Sequence, residues 1–310
     1  MKKSVITLLI TAVLLSLTAC GGGATPDSAS PDTATADQTT AFRHNLVSSV
    51  KSYRKDSAQG DWVLDNTTTV KYDDKANPTL FTTVTEGDKE HPVQTKCEYV
   101  YEGDLPVTRI ETDDSSHGGT TAEYKNGRLD KVTYDNTESN IVYKWMYQYS
   151  DSSEYYTLGL SEIRGESTGP NAIGNSEEVA SVDVTTENGL LRKTAKTGVG
   201  SYWLDGENKK WESSSDIYVA EYDDDGIIEQ LYDPYDTDRK TIWHRFIVTR
   251  SGGTITEVTC QRHESDDSWT DLVKSEFEYN DIEISPVRYS LMMNRFIADY
   301  ASNYYTYNWY

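Results

Sequence analysis

Apolar and polar residues alternate with a period of two along most of this chain. In VQTKCEYVY, residues Val93, Thr95, Cys97, Tyr99 and Tyr101 share one face. In IVYKWMYQY the set is Ile141, Tyr143, Trp145, Tyr147 and Tyr149, and in WTDLVKSEFEY it is Trp269, Val273, Phe277 and Tyr279. Successive side chains of a strand point to opposite faces, so the pattern predicts antiparallel strands with one buried, aromatic side. IWHRFIVTR, residues 242–250, is apolar on both faces and reads as a central strand. Tight turns containing Asn, Asp and Gly alternate with polar loops such as Asp113–Thr120 and Glu166–Glu177. Alternation and turn signals together predict about fourteen to sixteen strands between Trp62 and Tyr279.

The strands come in a repeated unit. SYWLDGENKKWESSSDIYVAEYDDDG begins at Ser201, SYRKDSAQGDWVLDNTTTVKYDD at Ser52 and TCQRHESDDSWTDLVKSEFEYND at Thr259. In each, the opening pair is followed after eight residues by Trp, and after nine or ten more by Tyr-Asp-Asp or Tyr-Asn-Asp. Looser relatives keep the turn and lose the Trp, at Tyr101, Tyr124 and Thr186. Gly and Asn tolerate positive φ, so each is a hairpin signal. A repeat of this kind buries its face against its neighbours, as in other stacked arrays. EYKNGRLDKVTYD and EYDDDGIIEQL resemble the YD repeats of RHS-type bacterial surface proteins: a Tyr, a polar turn with Gly, then an aliphatic. Spacing here is uneven and the turn Gly is missing after Tyr72 and Tyr279, so the hairpin grammar carries over and the RHS shell does not.

The ends differ. FRHNLVSSVKSY places Phe42, Leu46, Val50 and Tyr53 at helical spacing and is equally readable as a first strand. PVRYSLMMNRFIADY, residues 286–300, starts with Pro and puts Met292, Phe296 and Tyr300 on one side, which predicts a helix that would cap or plug an end of the sheet. At the other end, Lys2 and Lys3 precede an apolar run from Val5 to Leu17, too short to span a bilayer comfortably and suited to a secretory signal. That run ends Leu17-Thr18-Ala19-Cys20, which resembles the lipobox of bacterial lipoprotein signal peptides. The resemblance implies cleavage before Cys20 and lipid attachment to its thiol. Residues 21–40, GGGATPDSASPDTATADQTT, lack large apolar side chains and read as a flexible tether. The expected organisation is a signal peptide over 1–19, a tether over 20–40 from the lipidated Cys, a β-meander domain over 41–285, and a helix with an aromatic tail over 286–310.

Composition narrows the function. A formal charge of −22 argues against nucleic acid, whose phosphates call for Lys/Arg patches. There are 23 Tyr and 7 Trp against 5 Phe, so the core should be thin and Tyr-rich. The strands lack a continuous lipid-facing apolar band, which argues against an outer-membrane barrel. Cys97 and Cys260 are left for a disulfide or two separate buried thiols. His44, His91, His117, His244 and His263 show no metal-ligand spacing, and no nucleophile motif occurs. The acidic turns Asp73-Asp74, Asp113-Asp114 and Asp223–Asp225 depart from a calcium-loop pattern and read as solvated turns. Trp62, Trp211 and Trp269 recur at one repeat position after polar loops. Exposed, they would stack on sugars; buried, each anchors its hairpin.

The fold expected is all-β, an antiparallel β-meander of repeated hairpins curved into an open barrel or a long twisted sheet, with a short C-terminal helix. The function expected is a lipid-anchored lipoprotein of the bacterial envelope, exported to the periplasmic side or the cell surface. It has a non-catalytic binding or scaffold role toward a glycan, a peptide or another envelope protein, with no cofactor, no metal and no catalytic residue. Two alternatives stand beside it: a glycan hydrolase using paired carboxylates, and a carrier of a small apolar ligand inside a barrel.

Overall fold

The computed structural model describes residues 44–301 apart from 56–59, 115–117, 151–154, 170–175, 205–206, 234–235, 237 and 239. Cys20, the tether, His117 and the aromatic tail lie outside the described residues. The first strands are β1 Asn45–Lys55, β2 Trp62–Tyr72, β3 Pro78–Thr85, β4 Asp88–Glu102, β5 Leu105–Asp113, β6 Gly118–Lys125, β7 Arg128–Asn136 and β8 Ile141–Tyr149. A single turn, α1 Tyr156–Gly159, leads into β9 Leu160–Thr168, β10 Ser176–Glu187, β11 Leu190–Leu204 and β12 Glu207–Tyr222. Then come β13 Ile228–Tyr232, β14 Ile242–Ser251, β15 Thr254–His263, β16 Trp269–Glu283 and a helix, α2 Pro286–Ala301.

Each strand pairs antiparallel with the next, and β1 pairs with β16, giving a closed barrel of sixteen strands. The meander and the C-terminal helix are as expected. The sheet is neither open nor extended, because the Val47↔Tyr279 and Val50↔Phe277 registers join its two edges. Closure removes the unpaired backbone that an edge strand would present. From Asn45 onward, the segment that ends at Tyr53 is a strand. Register shifts at Val47 turn both Leu46 and Val47 into the core, which mimics helical spacing.

Alternation of connections separates the two ends of the barrel. The connections after even-numbered strands, most of them tight Gly turns, lie at one end, and those after odd-numbered strands, among them polar loops and the Glu86-Gly87 turn, at the other. At the turn end, a register shift precedes each repeat tyrosine, so Tyr72 opposes Pro78, Tyr101 Pro106, Tyr124 Leu129 and Tyr222 Ile228. Tyrosine rings fill the thin core, and the hydroxyls of Tyr72, Tyr149 and Tyr279 reach back to the preceding strand. Tyr72 donates to the Val47 carbonyl at 2.7 Å and Tyr279 to Ile255 at 2.6 Å, and Tyr149 donates to Leu129. The polar tips of these three rings are thereby satisfied.

The acidic residues of these turns shape the backbone. Asp73 Oδ1 accepts the amides of Lys75 and Asn77, and Asp223 Oδ1 accepts those of Asp225 and Ile227. The twin turns put Ala76 and Gly226 at φ 63° and 72°. Gly226 backs onto the helix, where an added Cβ would stand 3.1 Å from Leu190 Cβ and 3.3 Å from Ser290 Oγ. Among the described residues, no group of three or more His, Cys, Asp or Glu side chains is placed to hold a metal ion.

The helix enters the lumen at the turn end. Arg288 through Ile297 are all buried. Asn294 accepts the Ile228 amide at 2.8 Å and donates to the Gly226 carbonyl at 2.7 Å. Arg288 donates to the Ala76 carbonyl at 2.6 Å, and Tyr289 receives the Ile255 amide. The helix therefore ties together turns from opposite parts of the ring. Its apolar side chains join β1, β2 and β11–β16 in the larger core cluster, and a second cluster lies under β6–β10. Cys97 on β4 and Cys260 on β15 are separate buried thiols.

The outer wall is ionic. Outward positions on β4 read Gln94, Lys96, Glu98, Val100 and Glu102, and those on β9 read Glu162, Arg164 and Glu166. Cross-strand pairs such as Lys51–Glu278 at 2.8 Å, Lys193–Glu221 at 3.2 Å and Lys144–Glu166 at 3.2 Å stud it. Each adds about 0–1 kcal/mol, so they mark the wall as wet more than they hold it together. A lipid-facing wall would need an apolar band some 25 Å tall, and here the exposed large apolar residues Val63, Val100, Ile110, Ile247 and Ile282 are scattered. Among the described residues, no helix is long and apolar enough to cross a membrane.

Candidate functional site

The inward faces of β4 to β8 carry the chemistry. Strand register aligns them in rows. One row runs Tyr99, Arg109, Ala122, Val132, Trp145; the next, nearer the loop end, runs Cys97, Glu111, Thr120, Tyr134, Tyr143. Beyond it Thr95 opposes Asp113 and donates to its Oδ2 at 2.9 Å.

Aromatic rings form one side of this surface. Tyr134 and Tyr143 stack with centroids 6.2 Å apart, and Tyr143 and Trp145 stack at 6.0 Å and 11°. Tyr134 is buried, while Tyr143 and Trp145 are only half-buried although they point inward, as is Asp113. The lumen is thus filled by α2 and core side chains at the turn end and keeps accessible rings towards the loop end.

A buried ionic cluster forms the other side. Arg109 is 1% exposed and its Nη2 stands 3.4 Å from Glu111 Oε2. The Cys97 thiol donates to the same Glu111 oxygen at 3.6 Å. Burial pushes the Glu111 carboxyl up against the pull of Arg109, and pushes the Cys97 thiol up to about 12. A thiol held neutral in this way is a poor nucleophile. The charge of Arg295, on α2, also bears on Cys97, Tyr99 and Glu111.

The repeated tryptophans lie elsewhere. Trp62 and Trp269 are half-buried at the loop end of β2 and β16, on the outer wall. Trp269 does not share the inward face of Val273 and Phe277. Leu272 is an extra residue opposite the Cys260–Gln261 step, and this bulge reverses the alternation. Lys55 sits 4.8 Å over the Trp62 ring and Arg245 4.0 Å over Trp269, whose other neighbour is His263 at 4.9 Å. Asp271 joins these cations, accepting from Lys55 at 2.6 Å and from Gln261 at 2.6 Å, and Gln261 accepts from Arg245 at 2.7 Å. Trp211 pairs with Gly200 on the β11–β12 ladder. The histidines stay apart: His44 packs on Tyr289, His91 bonds Asp88 at the exposed start of β4, and His244 is buried on β14.

Nothing in the sequence singled out Arg109 or Glu111, and Asp113, expected in a solvated acidic turn, ends β5 opposite Thr95 instead. On β5 they alternate with Thr108, Ile110 and Thr112, and the charged face of such a strand reads as the wet one. Pairing with Cys97 and Tyr99 on β4 turns that face inward. The one available signal was that neighbour's Tyr-rich face.

The fold defines the class of protein: a closed antiparallel barrel with an ionic outer wall, a helix in one end and an aromatic-ionic lumen. No family model matches the chain, and no curated protein matches it. Among solved structures, it is similar to a porin-like protein from Bacteroides vulgatus ATCC 8482, with 8% identity over 77% of this chain and 100% of that one, at a TM-score of 0.40. A likeness of that size bears on neither ligand nor location.

Proposed function

We propose that this protein is an exported, lipid-anchored envelope lipoprotein that binds a small ring-bearing ligand inside its barrel, without catalysis. The observation that carries the binding role is the Tyr134–Tyr143–Trp145 stack, inward-pointing and, at Tyr143 and Trp145, still half-accessible. Stacked rings beside polar groups suit sugar or aromatic rings. The anchor rests on the lipobox resemblance at Cys20, and the ionic wall supports a domain held in water beside the membrane. The ring-binding surface of this proposal is luminal, because at Trp62 and Trp269 a cation already lies over a ring face.

Two measurements check this. Changing Cys20 to Ala is expected to move the expressed protein from the membrane fraction to the soluble fraction; retention in the membrane would refute the anchor. A glycan-array screen of the full chain in detergent is expected to give hits that Trp145→Ala abolishes and Trp62→Ala or Trp269→Ala leaves intact. The reverse pattern puts the site on the outer wall.

The carboxyl pair Glu111 and Asp113, two residues apart on one face, favours glycan hydrolysis as a second reading. Release of reducing ends from a bound glycan, lost in Glu111→Gln, would establish it.

A further inference from the structure

Charge in this molecule is segregated. The chain carries −22 overall, yet the buried charged side chains among the described residues are Arg109, Lys196, Arg288 and Arg295 against Glu111 alone, four cations to one acid. Arg288 is spent on the backbone carbonyls of the Asp73–Asn77 turn, and Arg295 lies 5.2 Å from the Phe81 ring. Arg109 differs. It is 1% exposed, and Nε, Nη1 and Nη2 have no hydrogen-bond partner beyond the 3.4 Å approach to Glu111. The hydroxyl of Tyr99, its direct neighbour across the β4–β5 ladder, is also buried without one.

Such a guanidinium is costly to fold around. Each buried donor left unmade costs about 1–3 kcal/mol, and more when charged. A hydrophobic side chain of similar volume would be the more stable choice. Glu111 is a weak partner here: its Oε2 stands 3.4 Å from Nη2 and makes no hydrogen bond to any of the three nitrogens.

We propose that Arg109 is the anion anchor of a luminal site for a small carboxylate-bearing ring compound, with Tyr99 as a second donor and the Tyr143–Trp145 stack holding the ring. The proposal rests on the luminal reading above and names the ligand's chemical class. Its geometry follows from register. Arg109 and Trp145 stand in the same row, three strands apart, about 14 Å along the wall at the usual strand spacing. Ala122 and Val132 fill the interval, so the Arg109 side chain and a stacked ring can approach each other over small residues. The planar guanidinium fork matches a carboxylate in two parallel bonds. Arg109 has almost no contact with solvent, so an arriving carboxylate takes Glu111's place beside Nη2.

The test uses the full chain in detergent, titrated calorimetrically with two matched pairs: benzoate against benzyl alcohol, and D-glucuronate against D-glucose. In at least one pair the charged member is expected to bind at least tenfold more tightly than the neutral one. Arg109→Met should bring the two within a factor of two, while circular dichroism stays unchanged and the melting temperature holds or rises. If that variant fails to fold, Arg109→Met/Glu111→Gln removes both charges and is read the same way. Equal binding of charged and neutral probes, abolished by Trp145→Ala, would overturn the anchor and leave the luminal site standing. Charged-probe binding that survives loss of Arg109 overturns the anchor too. No binding by any of the four probes also overturns it, and the glycan screen then judges the lumen alone.

Discussion

Replacing Asn294 by Ala is expected to cost about 3 kcal/mol, among the largest effects of any polar substitution in this protein. Asn294 is 0% exposed in the middle of α2, and both ends of its amide are used. Its oxygen takes the Ile228 amide and its nitrogen gives to the Gly226 carbonyl, where the β12–β13 turn leads into β13. Truncation strands both backbone groups in a site closed to water, at about 1–3 kcal/mol apiece, and leaves a small void besides. The urea midpoint of the full chain checks this: a loss below 1 kcal/mol would mean that the helix is held by its apolar side chains alone. Asn294→Asp should be at least as damaging, because it removes the donor and buries a charge.

Acid should destabilise the barrel through His244. That ring is buried on the inward face of β14, and burial, with the Arg262 charge adding to it, lowers its pKa from 6.5 to about 4. The folded state holds the proton less tightly than the unfolded chain does. The neutral ring's contribution is therefore fully present above pH 6.5 and is lost as pH falls toward about 4. At 1.36 kcal/mol per unit the loss reaches about 3 kcal/mol, or roughly 6–12 °C in melting temperature for a domain of this size. Melting curves at pH 7 and pH 4 for the native chain and for His244→Phe provide the check. The native chain should lose more than the variant by that margin, and parallel losses would show that the ring is not buried neutral.

The fold was readable because its signals are local. Period-two alternation, the Tyr–turn–aliphatic grammar and the proline opening α2 each act within a dozen residues, and the structure places strands, turns and helix where those signals fall. The site was not readable for the opposite reason. Arg109, Glu111 and Asp113 look like a solvent face until β4 is laid beside them, and Trp269 looks inward until Leu272 is seen to bulge. A strand's alternation says that its faces differ; which face meets the core depends on its neighbours and on every bulge before it.

By itself the sequence determined an antiparallel meander of hairpins, a terminal helix and an acidic composition, and the lipobox at Cys20 supplied the expectation of an anchor. Tertiary structure decided the rest. Closure depends on β1 meeting β16 more than two hundred residues away, a pairing that no local pattern encodes. The same closure decides inside from outside, sending the carboxylates and lysines of the wall to water and, among the described residues, burying four cations with one acid. Side-chain chemistry was present in the sequence all along; the long-range pairing that gives it a direction exists only in the folded chain.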